Sequence, residues 1–593
     1  MKFKYLSAAA MGLAVLMSSC DATDLKPWNN MTDASYWHTV TDLQLYANGL
    51  LGNFGGATAY GDDVSDLMVQ NSADAYLFGN VSINTVGSDW DWGLIRQCNF
   101  FMNRYEQVEG DEAAINQYVA EVRFVRANRY FTLIRLYGDV PWFDVDLQTT
   151  DTEELYKGRD PRNFVLGKII EDLEFASQWC VESKTSGRPT KDAALQQLAR
   201  VCLYYGTYMK YHNEQESNGI SSQYLLEKAR DASKKIMDSG KYSIVKAANP
   251  SETKNFAEWP LPYSNLFVQD DLSGCAEAVM ARYYEYPTLT HEVGRQAGSS
   301  GFGLSKAFAD CYLMANGKPI ANAGSGYHGD NTLEEEIQDR DPRMWQTIAT
   351  SRRPNWTSAG SAADQQMTPW DWAGTIGQTS GVTGYAVEKF HSSNMAQWQA
   401  QSSDFDWFIY RYAEVLLINA EANYELGTCT QAVLDATINK LRDRVDMTHL
   451  TTSPEVDAAA WDYGYSIAPL LYEIRRERAV ELINEGFRMD DLKRWNAMKL
   501  LENPMTMVGV RITDDSKAFY EDPNNGGATI GTGGRETITL NGKTYLRCFS
   551  NTDMYSDGRK WTANDKRWLY PIPETQMDLY KLHGTPLTQN PGW

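Results

Sequence analysis

Apolar residues recur with the period of an α-helix along two parts of the chain. Between Val119 and Tyr137 they follow one another at three- to five-residue spacing, with further apolar residues between them. A helix that is apolar nearly all round is usually buried among others. Gly138 is a natural stop, so the pattern predicts a buried helix over 111–138. The same reasoning predicts further helices over 162–180, 190–212, 223–239, 407–427, 429–446 and 466–486.

The predicted helices fall into two blocks, mainly 41–246 and 407–500. The two blocks are separated by residues 247–406, and the second block is followed by residues 501–565. Both of these segments are rich in Gly, Ser, Thr, Asn, Trp and Tyr. Long irregular segments of this kind are usually functional loops. Short strands are predicted near 278–284 and 545–549. Helices ending at glycines, with small residues where they cross, favour irregular tetratricopeptide-type pairs over a generic helical domain.

The N-terminus predicts a cleaved export signal. Two lysines are followed by an apolar run from Leu6 to Met17 and then by Ser18-Ser19-Cys20. Twelve residues are too few for a membrane-spanning helix, which needs about 20. Small residues directly before a cysteine resemble a bacterial lipobox, which implies removal of residues 1–19 and lipidation of Cys20. The competing interpretation is an ordinary secretory peptide that ends near a cysteine.

Charge and composition narrow the class of ligand. The formal net charge of −22 argues against a nucleic-acid partner, because a protein binds nucleic acid through a basic face. A neutral ligand is not repelled by this charge. The cysteines and histidines lack zinc-site spacing. The turn at 522–526 lacks the spaced oxygens of a calcium loop. No cofactor is therefore expected, and a structural calcium ion is not indicated.

Tryptophan and tyrosine, 18 and 34 residues, often lie in polar surroundings. An exposed aromatic face suits the apolar face of a sugar ring, and neighbouring amides and carboxylates suit its hydroxyls. Trp90 and Trp92 are the first candidates for glycan binding, although they would serve equally well as core aromatics. The further candidates are Tyr283, Tyr284, Trp370, Trp372 and Trp398.

Several motifs resemble the SusD/RagB family of nutrient-uptake lipoproteins in Bacteroidetes. The first reads RANRYFTLIRLYGDVP at 126–141, and the region 92–103 before it is also similar. The second reads RRERAVEL at 475–482, followed by EGFR at 485–488 and DLKRW at 491–495. The third reads LYPIPE at 569–574, before LTQNPGW at 587–593. The charges of these motifs are interpreted as partly buried links within a scaffold rather than as a ligand site.

The resemblance implies a mainly α, SusD-like domain over 20–593, in which tetratricopeptide-type helix pairs carry a loop-rich, variable ligand-binding face. Residues 566–593 are expected to close it as a strap, in which the Pro-Ile-Pro sequence at 571–573 is extended and rigid. It further implies a surface-exposed lipoprotein of the outer membrane that holds an oligosaccharide and acts as the lid of a SusC-like TonB-dependent transporter, without catalysis. Two alternatives remain open: a lid for peptides or other non-glycan nutrients, and a secreted glycoside hydrolase. No catalytic arrangement is apparent, since Arg295 stands where a zinc-protease motif beginning at His291 needs its second histidine.

Overall fold

The computed structural model describes residues 36–52, 54–86, 89–246, 263–297, 301–349, 382–392, 395–522, 529–531, 536–548 and 558–593. Three of the predicted functional residues, Cys20, Trp370 and Trp372, lie outside the described residues. The backbone of Trp398 is described, in a short 3-10 turn, but its side chain is not. Within the described residues, no helix is long and apolar enough to span a bilayer.

The N-terminal block is helical, as predicted. Its longest helix begins after Asp111, whose carboxylate caps the first turn, and ends at Gly138. The helices are α1 (Val40–Leu51), α2 (Gly93–Met102), α3 (Glu112–Tyr137), α4 (Thr152–Leu155), α5 (Arg162–Trp179), α6 (Lys191–Tyr211) and α7 (Ser222–Asp238).

Helices α6 and α7 form an antiparallel hairpin. Ser222, at the start of α7, donates a hydrogen bond to the carbonyl of Gly206 near the end of α6 (2.6 Å). A Cβ atom at position 206 would lie 2.9 Å from Leu226 Cγ, so only glycine allows the two helices to approach this closely. Helix α3 packs against α5 in the same block.

The middle of the chain contains short elements. Strands β1 (Met68–Gln70) and β3 (Phe302–Leu304) pair antiparallel, and β2 (Ala278–Arg282) lies within the predicted segment 278–284. The short helices here are α8 (Val293–Ala297), α9 (Lys306–Cys311), α10 (Leu333–Ile337) and α11 (Met344–Thr347).

The second helical block differs from its prediction at two places. Residues 407–411 form strand β4 (Trp407–Arg411), which pairs antiparallel with β2, so the helix begins only at Tyr412. The predicted helix 429–446 is broken at Thr437, whose φ of −126° and ψ of −92° are not helical. The helices are α12 (Tyr412–Glu425), α13 (Gln431–Ala436), α14 (Ile438–Asp443), α15 (Pro469–Leu482) and α16 (Arg488–Arg494).

The C-terminal part closes the structure. Strands β5 (Val508–Arg511), β6 (Glu536–Leu540) and β7 (Lys543–Arg547) form an antiparallel sheet in the order β5-β7-β6. Helices α17 (Asp514–Glu521) and α18 (Glu574–Leu582) complete the series. The segment around α18 is tied to the end of α3, because Asn590 Nδ2 donates to the carbonyl of Tyr137 (3.0 Å).

The charged motif residues of α15 are buried links, as predicted. Glu481 is fully buried and accepts hydrogen bonds from Arg411 (2.8 Å), Arg444 (2.8 Å) and Arg343 (3.1 Å), which come from three other segments. Burial alone would raise the pKa of Glu481, but these three guanidiniums hold it well below its usual range. The motif therefore joins the second block to the middle of the chain.

Candidate ligand-binding site

The loop that carries Trp90 and Trp92 is held in place by helix α3. Arg129 Nη2 donates to the carbonyls of Asp89 and Asp91, both at 2.7 Å. Asp91 Oδ1 in turn accepts from the backbone N–H of Gly93 (3.1 Å), the first residue of α2. The first family-like motif therefore fixes the backbone on both sides of Trp90.

The two tryptophans meet edge to face. Their ring centroids are 5.4 Å apart at 84°, and Trp90 makes a second edge contact with Tyr137 at 4.9 Å. Trp90 is 7% exposed and Trp92 is half-buried, with its ring against Phe143 at 5.3 Å. Trp90 is thus largely a core residue, as the competing interpretation held, while Trp92 remains partly accessible.

Both rings nevertheless line a cavity of about 250 Å³, which we call the tryptophan pocket. It lies between the start of α2, the loop after α3, helix α4 and helix α18. Its lining residues are Trp90, Trp92, Ile95, Arg96, Asn99, Phe143, Val145, Leu147, Gln148, Thr149, Leu155, Tyr156, Gln576, Leu579 and Tyr580.

The rim of the tryptophan pocket is partly polar. Arg96, Gln148 and Thr149 are exposed, and Gln576 is half-buried. Val145 and Leu579 are also exposed at this rim, at 45% and 37%. The described lining therefore offers aromatic faces together with one guanidinium and neutral hydrogen-bonding groups.

A hydrogen-bonded layer behind the pocket fixes its inner wall. The Phe143 carbonyl accepts from Asn99 Nδ2 (2.8 Å), and the Phe143 N–H donates to the Tyr130 hydroxyl (2.6 Å). Asn99 is oriented by Arg126, which donates to its Oδ1 (3.1 Å) and forms a buried pair with Asp172 (2.8 Å). A wall braced in this way is pre-organised for a ligand.

The hydroxyls of Tyr580 and Tyr130 stay protonated at ordinary pH. Burial raises the pKa of Tyr580 to about 12 and raises the pKa of Tyr130 as well. Tyr580 contacts the ring of Tyr156 edge to face at 5.4 Å, and Tyr156 stacks on His583 at 3.8 Å. These contacts join α4 to α18 at the edge of the pocket.

Tyr283 and Tyr284 lie elsewhere, just after β2. Tyr283 is half-buried and its hydroxyl donates to the carbonyl of Lys184 (2.9 Å). Tyr284 is buried, and its hydroxyl accepts from the N–H of Ala57 (3.2 Å). Neither residue lines the tryptophan pocket.

Three aromatic residues of the pocket were not predicted. Phe143 and Tyr156 follow the motif that ends at Pro141, and Tyr580 lies on α18, far along the chain. Gln576, Leu579 and Tyr580 are spaced so that they lie on one face of α18, which is the face toward the pocket. This spacing could have identified them only if the packing of α18 against the pocket were already known.

No group of three or more His, Cys, Asp and Glu residues placed to hold a metal ion occurs among the residues that the structure describes.

Two family descriptions match the sequence. The model described as "SusD family" matches residues 276–593. The model described as "Starch-binding associating with outer membrane" matches residues 69–203. Together these matches include the tryptophan pocket and all three family-like motifs.

Individual relatives are distant but cover most of the chain. SusD-like protein P2 of Formosa agariphila is 22% identical over 507 residues, which is 81% of this chain and 89% of the relative. A SusD-like protein from Bacteroides fragilis superimposes with a TM-score of 0.67 at 21% identity, covering 95% of this chain and 99% of its own. A SusD-like carbohydrate binding protein from the same species superimposes with a TM-score of 0.66 at 19% identity, covering 92% of this chain and 99% of its own. The solved structures therefore establish the fold.

Proposed function

The chain belongs to the SusD family, and we propose that it is a surface lipoprotein of the outer membrane that captures an oligosaccharide for a SusC-like TonB-dependent transporter. The proposal includes a signal peptide over 1–19, a lipid on Cys20 and one mature domain over 20–593. Family membership supports both the location at the outer membrane and the class of ligand. One matching family description names starch and the outer membrane, and one solved neighbour is named as a carbohydrate binding protein.

The observation that carries the proposal is the tryptophan pocket. A sugar ring has an apolar face, for which the accessible edge of Trp92 and the ring of Tyr156 are suitable. Its hydroxyls both donate and accept, and the rim offers the amides of Gln148 and Gln576 and the guanidinium of Arg96. Small-molecule sites in proteins combine these features, with apolar walls and a few placed polar groups.

The aromatic contacts set the scale of the expected affinity. An aromatic contact contributes about 0.5–1.5 kcal/mol beyond the area it buries. Loss of this contribution alone weakens binding roughly 2- to 12-fold, since each 1.4 kcal/mol is a factor of ten in Kd, and the lost buried area adds to it. Recognition of a glycan thus needs several rings, and Tyr283, Tyr284, Trp370, Trp372 and Trp398 remain candidates for contacts with other sugar units.

The proposed role of lid is supported by family membership together with the proposed lipid. A protein held by several acyl chains stays at the membrane that contains its transporter, because about two chains already give stable anchoring. Non-covalent capture then leaves the glycan intact for transport. We propose a SusC-like barrel as the partner that receives it.

The test is retardation of the full-length chain in gels containing neutral polysaccharides, namely amylopectin, xylan, mixed-linkage β-glucan and galactan. At least one should retard the wild type, and Trp92→Ala should reduce this about 2- to 12-fold, with Trp92→Phe between them. Trp179→Ala is the matched control, because Trp179 is half-buried on α5 and lies outside the pocket.

The same samples distinguish the alternatives. Release of reducing sugar during incubation would identify a glycoside hydrolase, whereas retention without release supports a binder. No retardation by any polysaccharide, together with binding of a peptide library, would identify a lid for non-glycan nutrients. Affinity purification from solubilised outer membrane should recover a large β-barrel, and recovery of the lipoprotein alone would contradict the proposed partnership.

A further inference from the structure

A second and larger cavity, of about 470 Å³, opens between the two helical blocks. We call it the central cleft. Its walls come from α3, α6, β4, α16 and the segment 54–58, and its volume lies within the ~300–1,000 Å³ typical of small-molecule sites. Among the residues proposed above to bind glycan, none of those whose side chains the structure describes lines it.

One wall of the central cleft is aromatic. Trp407 and Phe408 on β4, Phe54 and Phe487 all line the cleft and are half-buried. Residues 407–411 were expected to begin a helix but form strand β4, each residue of which lines the cleft. Accessible aromatic rings in a concave wall are suitable for one face of a sugar ring.

The charges of the central cleft largely neutralise one another. Arg200 forms a two-bond pair with Glu414 (2.6 and 2.6 Å), and Arg135 pairs with Asp490. Arg478 on α15 also lines the cleft and pairs with a buried aspartate of α16 (2.8 Å). The cleft therefore offers an ionised ligand little unpaired charge to offset the loss of its hydration. A neutral ligand does not need such a counter-charge.

Two guanidinium donors in the lining have no partner among the described residues. Arg135 Nε and Arg478 Nη1 are buried atoms without a hydrogen bond to any described residue, and Arg478 as a whole is only 5% exposed. A buried donor left unpaired is costly, more so on a charged group. Both side chains line the cleft, so a small turn of each guanidinium would bring its unpaired donor to a hydroxyl oxygen of a ligand.

The central cleft and the tryptophan pocket share a boundary. Arg129 lines the central cleft and holds the carbonyls of Asp89 and Asp91 that flank Trp90. On α2, Leu94 lines the central cleft while Ile95 lines the tryptophan pocket. The two cavities thus lie on either side of residues 89–96.

We propose that the central cleft is a second binding site that takes a ring of a neutral, hydroxyl-rich ligand, stacked on the aromatic wall and bonded to Arg135 and Arg478. This inference rests on the proposed function, because it takes carbohydrate as the class of ligand. It adds a site that is formed by the scaffold helices rather than by the loop-rich face.

The test uses saturation-transfer NMR with methyl β-D-glucopyranoside, methyl β-D-galactopyranoside and, as a charged probe, methyl β-D-glucuronide. The blocking variant is Gly56→Trp, because a Cβ at this cleft-lining glycine meets no atom within 4 Å. Gly274→Trp is the matched control, an exposed glycine with equal space outside the cleft. Thr58→Trp is a second blocking variant at another exposed lining position.

If both cavities bind, Trp92→Ala and Gly56→Trp should each lower the transfer from a neutral glycoside, and the double variant should lower it further than either single variant. Gly274→Trp should match the wild type, and Thr58→Trp should match Gly56→Trp. Complete loss in Trp92→Ala with no effect of either blocking variant would overturn the second site and leave the proposed function standing.

Three other outcomes are equally decisive. Complete loss in Gly56→Trp and Thr58→Trp, with no effect of Trp92→Ala, would support the central cleft and refute the tryptophan pocket. Stronger transfer to the glucuronide than to the neutral glycosides in Trp92→Ala would overturn the neutral class. Absence of transfer from every probe would overturn both sites as sites for simple sugar rings.

Discussion

Replacing Glu421 by glutamine removes one charge from the buried centre of the scaffold. Glu421 lies on α12 with no exposed surface. Its carboxylate accepts two hydrogen bonds from Arg494 (2.7 and 2.7 Å) and one from Trp495 Nε1 (2.6 Å). Glutamine has nearly the same shape, but it removes one of the two carboxylates that pair with Arg494, the other being Asp491 (2.9 Å).

The size of the effect follows from the pKa of Glu421. Burial alone would raise it, but Arg494, with help from Arg475 and Arg478, lowers it from the usual 4.5 to about 2. This difference corresponds to about 3 kcal/mol of stability. Because the pKa is lower in the folded chain, the stabilisation is complete above about pH 5 and is lost as the pH falls toward about 2.

The assay is urea unfolding at pH 7 and pH 3, followed by tryptophan fluorescence. Glu421→Gln should lower the free energy of unfolding by about 3 kcal/mol at pH 7, and the gap to the wild type should narrow by about 2 kcal/mol at pH 3. Glu153→Gln, at an exposed position, is the control and should change neither value. A gap that is absent at pH 7, or that is equal at both pH values, would refute the reasoning.

Three further predictions concern other parts of the chain. Burial lowers the pKa of Lys493 to about 7, below its unfolded value of 10.5, so the free energy of unfolding should rise with pH between these two values. Lys493→Met should therefore stabilise the protein at pH 7 in urea unfolding, and its advantage over the wild type should shrink toward pH 10. Gly206→Val should cost about 1–3 kcal/mol, because the added methyl groups collide with Leu226, whereas Gly167→Ala, with open space on α5, should be neutral or slightly stabilising in the same assay. Cys20→Ala should move the protein from the membrane to the soluble fraction, as immunoblots of fractionated cells would report, and unchanged membrane association would contradict the lipid anchor.

The long helices of the N-terminal block were predictable because local signals agreed. Helix α3 has a capping aspartate at one end, a glycine at the other and apolar residues throughout, and its observed bounds differ from the prediction by one residue at each end. Thr190 likewise caps α6, because its side chain accepts a hydrogen bond from the N–H of Ala193. In these segments propensity, capping and burial all favour the same structure.

Residues 407–411 were predicted as the start of a helix because their apolar pattern continues into α12. Pairing with β2, which is more than 100 residues earlier in the chain, overrides that local pattern. A long-range contact of this kind is not visible in a single sequence. The break at Thr437 is not marked by the spacing of apolar residues either.

The candidate site was predictable only in part. Trp90 and Trp92 do line one cavity, but the sequence did not show that Trp90 would be nearly buried. Tyr156 and Tyr580 were missed because they come from segments more than 400 residues apart, brought together by the strap. Aromatic composition indicated the chemistry, and the assembly of the pocket depends on tertiary packing.

The central claim is that the chain holds an intact glycan beside Trp92 without cleaving it. A difference electron-density map of the full-length protein crystallised with the oligosaccharide that it retains in gels would test this most directly. We predict an unbroken chain with one ring against Trp92 and Tyr156. Density for cleaved sugar, or an empty tryptophan pocket with the ligand bound at a site far from it, would contradict the account.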